Sequence, residues 1–306
     1  MLGPPRVPAI PEPLRDHASL GRLSATAAVL FWSTGNVMVA NLDMPGIRIA
    51  FWRQVLAAVV YGAAFLVAGR RLTWAALRLA APAGVLLGLD MGAHFSALRS
   101  TTVANATIIG SLGPIVLLAV AARRYRESVT GWLLGASLVA VVGVALVVLG
   151  ASAEVAWSPQ GDLLALLATF TFAIYLVVVK DVRARIDTFT LQTIVMVVSA
   201  LTVFPLAVVH AGTLVLSVPS SRQWVWLVAL VAVPGTAHFL MNWAHLHVRL
   251  SLVGLLTLAI PVLSTVAAWP ALGQRFTILQ ALGGALVIGV LSGVVRRDAR
   301  LAAQAP

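Results

Sequence analysis

Apolar residues fill ten runs, near 23–42, 47–69, 77–98, 102–122, 130–150, 161–180, 188–210, 223–247, 250–270 and 277–295. Each is close to the ~20 residues that an α-helix needs to cross the hydrocarbon core of a bilayer. The small and cyclic residues within these runs recur. Gly88, Ala97 and Pro114 answer to Gly235, Ala244 and Pro261 at a constant separation of 147. Gly21, Leu23 and Ala25 answer to Gly161, Leu163 and Ala165 at 140, which sets Trp32 opposite Phe172. Gly135 and Leu138 match Gly283 and Leu286 at 148, one loop residue having been inserted. Each copy carries five spans, and because five is odd the second copy must enter the bilayer upside down. The pattern predicts an all-α polytopic membrane protein of two inverted five-helix repeats, an architecture typical of secondary transporters.

The expected divisions are a disordered tail over 1–20, a first repeat over 21–150, a linker over 151–160, a second repeat over 161–296 and a tail over 297–306. Residues 1–20 hold Pro4, Pro5, Pro8, Pro11 and Pro13 and lack an apolar core segment, so they read as a tail and not as a signal peptide. Composition agrees: 60% hydrophobic residues, 10% charged and a mean hydropathy of +0.97 leave too little polar surface for a soluble particle.

Charge sets the orientation, since Lys and Arg next to a span resist translocation. If the N-terminus is cytoplasmic, sixteen of the 21 basic residues fall on inner segments and only Arg99, Arg222 and Arg275 on outer loops, with Arg48 and Arg53 inside the second span. Both termini are therefore expected in the cytoplasm of a bacterial inner membrane, with the linker periplasmic. The net charge of +11 is spread over six inner segments and not gathered with aromatics into a groove, which argues against nucleic acid. There is no cysteine, so thiolate sites and disulfides are excluded, and no cofactor or metal signature is present.

Polar side chains in mid-membrane should turn away from lipid. Span 3 offers Asp90 and His94 one turn apart, and span 8 offers His238, Asn242 and His245 on one face. Span 4 supplies Thr107 and Ser111, span 1 Trp32, Ser33 and Asn36, and span 6 Thr171 and Tyr175. His245 and His247 lie near a span end beside Arg249, where solvated positions are expected. Counting ~1.5 Å per residue, Asp90 and Arg53 lie at roughly 12 and 9 Å below the outer boundary. They can therefore meet as a structural pair, or one can face the cavity, with Asp90 holding an ammonium or a proton and Arg53 a carboxylate. Pro114 and Pro261 break a backbone hydrogen bond at equivalent depths and are read as hinges. Gly131 with Gly135, and Gly289 with Gly293, suit close helix contact, within the chain first and in a homodimer as the alternative.

The residues Phe31 to Asn36, Arg53 in span 2, Ala104 through Pro114 to Glu127 with Gly135 after it, and the second copy from Ser251 through Pro261 carry a family likeness. The chain resembles ten-helix members of the drug/metabolite transporter superfamily, of EamA type, and is similar to bacterial exporters of amino acids, aromatic ones among them. The resemblance covers about 22–295. It implies a basket in which helices 1, 3, 4, 6, 8 and 9 surround a central cavity while helices 5 and 10 lie further out. One departure is that the acid closing the fourth-helix pattern, Glu127, is replaced by Gln274 in the second copy.

The repeat is unequal in its chemistry. Asp90, His94 and Ser111 face Ala237, Met241 and Leu258, while His238 and Asn242 answer to Met91 and Phe95. An asymmetric site suits a solute with a charged end and a variable end. The reading is an exporter of amino acids and related small metabolites working by alternating access, with Trp32, Ser33, Asn36, Asp90, His94, Thr107, Ser111, Tyr175, His238 and Asn242 contacting substrate. Multidrug or other metabolite efflux is the runner-up. An intramembrane hydrolase built on Gly110, Ser111 and Gly113 with a distant His is the remote alternative, disfavoured because the second copy has Leu258 and no base is positioned.

Overall fold

The structure, a computed structural model, describes residues 17–101, 103–150, 158–272 and 277–303. Most of the expected N-terminal tail and linker, together with Gln274 and Arg275, lie outside the described residues. The chain is all-α, in the order α1 (Ala18–Ala40), α2 (Gly46–Val67), α3 (Trp74–Ser100), α4 (Val103–Gly110), α5 (Gly113–Arg124), α6 (Gly131–Gly150), α7 (Pro159–Arg183), α8 (Thr188–Ala211), α9 (Ser221–Ala232), α10 (Pro234–Ala244), α11 (Leu250–Thr257), α12 (Ala259–Leu272) and α13 (Ile278–Ala303). Joined at their breaks, α4–α5, α9–α10 and α11–α12 make ten long helices.

Nine of these are long and apolar enough, by length and composition, to cross a membrane among the described residues. The tenth, α1, is not among those nine; its run is also apolar but carries Ser24, Thr26, Ser33, Thr34 and Asn36. The last helix also runs further than its hydropathy suggested, continuing to Ala303.

Inverted symmetry is visible in the packing. Helix α1 lies on α10 as α7 lies on α3, α1 meets α12 as α7 meets α5, the pairs α2–α8 and α6–α13 are each formed by an element and its own counterpart, and α5 meets α11, the counterpart of α4. The conserved-spacing glycines sit at equivalent junctions. A Cβ on Gly161 would stand 2.6 Å from Cβ of Thr101, and one on Gly21 would collide with Cβ of His247, so each repeat's first helix is pressed against the end of the other repeat's third.

Close contact between α6 and α13 is made elsewhere than the sequence indicated. A Cβ on Gly283 would lie 2.5 Å from the Gly143 carbonyl oxygen, while Gly131, Gly135 and Gly289 have open space where a side chain would go. Those three glycines therefore do not form the internal contact expected of them. Spacing identified small-residue faces correctly but not which face turns inward.

Candidate functional site

Three helices are interrupted in mid-course, and the interruptions shape the centre of the bundle. In α4–α5 the break falls at Ser111 and Leu112, and in α11–α12 at Leu258, positions that correspond through the repeat. Pro114 and Pro261 each lie just beyond. Having no N–H, they cannot donate to the carbonyls of Gly110 and Thr257, four residues back. The third break, at Val233 before Pro234, has no counterpart in the first half. Pro234 opens α10 and faces the centre.

Around these breaks lies a cavity of about 210 Å³. Its wall is built by α1 (Trp32, Gly35, Asn36), α3 (Asp90, Met91, His94, Phe95), α4 and α5 (Thr107, Gly110, Ser111, Pro114), α7 (Thr169, Phe172), α9 and α10 (Leu230, Pro234, His238) and the α11–α12 break (Thr257, Leu258, Pro261), with Arg53 of α2 reaching in. The wall reaches Ala97 and Leu98 near the C-terminal end of α3 and Ala165 near the start of α7. That is one face of the membrane-spanning bundle.

Arg53 and Asp90 are both buried, and both line this cavity. They form no ion pair: Arg53 donates from Nη1 to Oε1 of Gln54 at 2.6 Å and to Sδ of Met91 at 3.4 Å. Oδ2 of Asp90 and Nε of Arg53 have no hydrogen-bond partner in the protein. The direct pair inferred from matching depths is thus not formed. Trp32 packs edge-on to Phe172 and to His238, with ring centroids 5.4 and 5.1 Å apart, and its Nε1–H and Nδ1 of His238 are likewise unpartnered.

Other residues singled out from sequence lie elsewhere. Tyr175 and Asn242 are outside the cavity wall: the tyrosine hydroxyl donates to Oδ1 of Asn242 at 3.0 Å, and Nδ2 of Asn242 donates to Oε1 of Gln192 at 2.7 Å. The hydroxyl of Ser33 turns back to the Leu30 carbonyl, while its own carbonyl accepts from Ser264, which also receives a long contact from Asn36 at 3.4 Å. Ser111 lines the cavity with its hydroxyl donating to the Ile108 carbonyl at 2.6 Å, and Thr171 is bonded within its own helix. Sequence reasoning missed Thr169, Gln54, Gln192 and Ser199. The last three are fully buried, and Gln54 donates through Nε2 to Ser199. Their signal was present, since a glutamine in mid-span is as informative as a histidine.

The opposite face is shut. Leu117, Ala121, Leu176, Val179, Met241, Ala244 and Val253 are buried there, and Gly254 lies so near Leu117 that a Cβ would stand 3.1 Å from the leucine Cβ. Polar ties cross between the halves. Glu127 accepts from the backbone N–H groups of Leu250 at 2.8 Å and Ser251 at 3.0 Å, and from the Ser251 hydroxyl at 2.6 Å. Arg124 and Tyr125 both donate to Asp181 of α7 at 2.8 Å. Within the second half, Lys180 donates to the carbonyls of Val248 at 2.8 Å and His245 at 3.3 Å. Beneath this cover His245 is 2% exposed and neither ring nitrogen has a partner, which corrects the expectation that it is solvated. Among the described residues no cluster of three His, Asp or Glu is placed to hold a metal.

A ten-helix bundle made of two inverted halves, with one central cavity between breaks that repeat, narrows the comparison to transporters. The model of the EamA-like transporter family matches the chain twice, over residues 19–149 and 159–296. The chain belongs to the EamA-like transporter family. It is a multi-pass membrane transporter and not an enzyme. A solved crystal structure superposes with a TM-score of 0.75 at 23% identity, covering 92% of this chain and 99% of its own, which at that identity speaks for the fold alone. No curated protein matches the sequence. The family match names no cargo, so the cargo has to be argued from the cavity.

Proposed function

We propose that this EamA-like transporter exports amino acids and related small metabolites across a bacterial inner membrane by alternating access. The observation that carries the reading is that the Arg53 guanidinium and the Asp90 carboxyl share one buried cavity without forming a direct ion pair. A buried charge lacking its partner is costly, and a zwitterion offers both missing partners at once. The substrate carboxylate would pair with the Arg53 guanidinium and the ammonium with Oδ2 of Asp90. The side chain would lie among Trp32, Phe172 and Phe95, a wall that favours aromatic or aliphatic substituents.

Size supports a small solute. The cavity, at about 210 Å³, is below the roughly 300–1,000 Å³ of sites for drug-sized ligands. Alternating access follows from the inverted halves: one face is open to the cavity, the other is packed, and exchanging the two repeats' conformations exchanges the faces. Pro114 and Pro261 act as hinges, since each break already lacks the hydrogen bond that bending would rupture. With both termini cytoplasmic, as the basic residues suggest, the open face is periplasmic, and the repeats run over 21–150 and 161–296. The outward-turned Gly131 and Gly135 leave a homodimer as a further reading.

The test is reconstitution into liposomes with a panel of labelled amino acids. Uptake of aromatic and aliphatic ones supports the proposal. Uptake of cationic dyes with none of the amino acids would replace it by drug efflux.

A further inference from the structure

A second, smaller cavity of about 50 Å³ lies at the closed end, between the start of α6, the start of α11 and the last turns of α13. Ser128, Thr130, Trp132, Arg249, Arg297 and Asp298 are in its wall. It is far smaller than the central cavity and suits a small headgroup such as a phosphate. Its charge balance is positive. Asp298 is shared at 3.5 Å with Arg22 and at 3.8 Å with Arg249, so one carboxylate faces two cations. Arg297 has no acidic partner among the described residues; its guanidinium is stacked over the Trp132 ring at 4.6 Å. Stacking fixes the plane of the guanidinium while leaving its N–H edge free for an oxyanion.

The surroundings say what kind of anion. Leu133, Leu252, Val294 and Leu301 complete the wall, and Trp132 and Leu301 are 44% and 41% exposed on the outside of the bundle. Along α6 the outward positions Leu134, Leu138 and Val142 continue as an apolar strip. A ligand here has an anionic head in the arginine cleft and apolar chains running up the helix. The partial positive charge at the α6 N-terminus adds to the attraction.

We infer that this cleft binds the phosphate headgroup of an anionic phospholipid. The site is independent of what the central cavity carries. It bridges α6 of the first repeat to α11 and α13 of the second, and Ser251 in its wall is the residue that Glu127 holds across the same junction. Occupancy therefore ties the two halves together at the closed face and favours the conformation with that face shut. Basic pockets between helices at a cytoplasmic surface are suited to this chemistry.

The experiment titrates phosphatidylglycerol, with phosphatidylcholine and inorganic phosphate as separate arms, against the full-length chain in detergent, and reads bound lipid by native mass spectrometry and melting in parallel. Phosphatidylglycerol should bind in preference to phosphatidylcholine and raise the melting temperature. Arg297→Gln and Arg249→Gln should each weaken it about fivefold, the equivalent of about 1 kcal/mol per basic residue. Arg297→Lys should recover part of the loss, and Arg71→Gln, remote from the cleft, should change nothing. Equal weakening by Arg71→Gln would mean diffuse surface attraction and overturn the site. Inorganic phosphate giving the same stabilisation as the lipid would overturn the lipid assignment, and so would unaltered lipid binding by a folded Arg249→Gln, Arg297→Gln double variant.

Discussion

Arg53 and Asp90 open onto the same cavity without meeting: the guanidinium is engaged by Gln54 and Met91, and one carboxylate oxygen is left bare. On the proposed reading the two buried groups serve recognition more than bracing. Asp90→Asn removes a charge that was paid for in desolvation, so melting should be unchanged or raised while transport is lost. Arg53→Gln leaves the Gln54 carbonyl without its donor and should cost about 1–3 kcal/mol. In stability the two should be nearly additive; a coupling of about 3–5 kcal/mol would instead reveal a direct buried pair.

Accessibility separates the cavity wall from the network behind it. The chain has no cysteine, so single cysteines report cleanly. Cysteine at Asn36, Ser111 or His238 should react with a water-soluble thiol reagent, with protection by substrate. At Tyr175 or Asn242 it should stay unreactive while the opposite face is shut, and rapid labelling there would contradict the closed packing.

Glu127 holds the start of α11 by three hydrogen bonds, two of them from main-chain N–H groups. Hydrogen bonds to a charged group contribute about 1.5–3 kcal/mol. Glu127→Ala should therefore shift the population toward opening at that face, read as faster labelling of a cysteine placed at the buried Val253. Unchanged labelling would show that apolar packing alone keeps the face shut.

Asp187 caps α8, accepting from the N–H groups of Phe189 and Thr190, and pairs with Arg70 at 2.7 Å. Partial burial pushes its carboxyl up, but the Thr190 hydroxyl and N–H and the Arg70 guanidinium outweigh this and hold it below the usual carboxylate range. A depressed value means that the stabilisation is complete above the unfolded value of ~3.9 and fades as pH falls through the folded one. Asp187→Ala should cost about 1 kcal/mol at pH 7, the usual worth of a cap. The gap to the unaltered chain should close in melts taken progressively below about pH 4.

Topology has its own check. A reporter active only in the periplasm should be silent when fused to the C-terminus and active when inserted in the loop between α8 and α9. The reverse pattern would invert the assignment of faces.

Much of this architecture was legible because membrane insertion constrains a sequence heavily. Spans follow from hydropathy, and the halves follow from glycines and prolines that recur at nearly constant separations. The helices whose residues line the cavity were likewise apparent, with Arg53 of α2 added. What was lost is azimuth. Counting residues gives height along a helix, which put Arg53 and Asp90 within reach of one cavity, but it does not give the rotation that turns Arg53 toward Gln54. The same limit hid the inward turn of Tyr175 and Asn242 toward Gln192 and the outward turn of Gly131 and Gly135. His245 was misjudged for another reason: it is surrounded by groups distant in sequence, among them Lys180, which donates to the carbonyls of His245 and Val248.

The paired breaks at Ser111 and Leu258 give the centre of the bundle a permanent electrical texture. Each splits a helix into two shorter dipoles, so α4 and α11 end there with partial negative charge and α5 and α12 begin there with partial positive charge. None of these poles can be titrated. For the zwitterionic solute proposed above, part of the grip would therefore be woven into the main chain, where neither protonation of Asp90 nor replacement of a side chain can erase it.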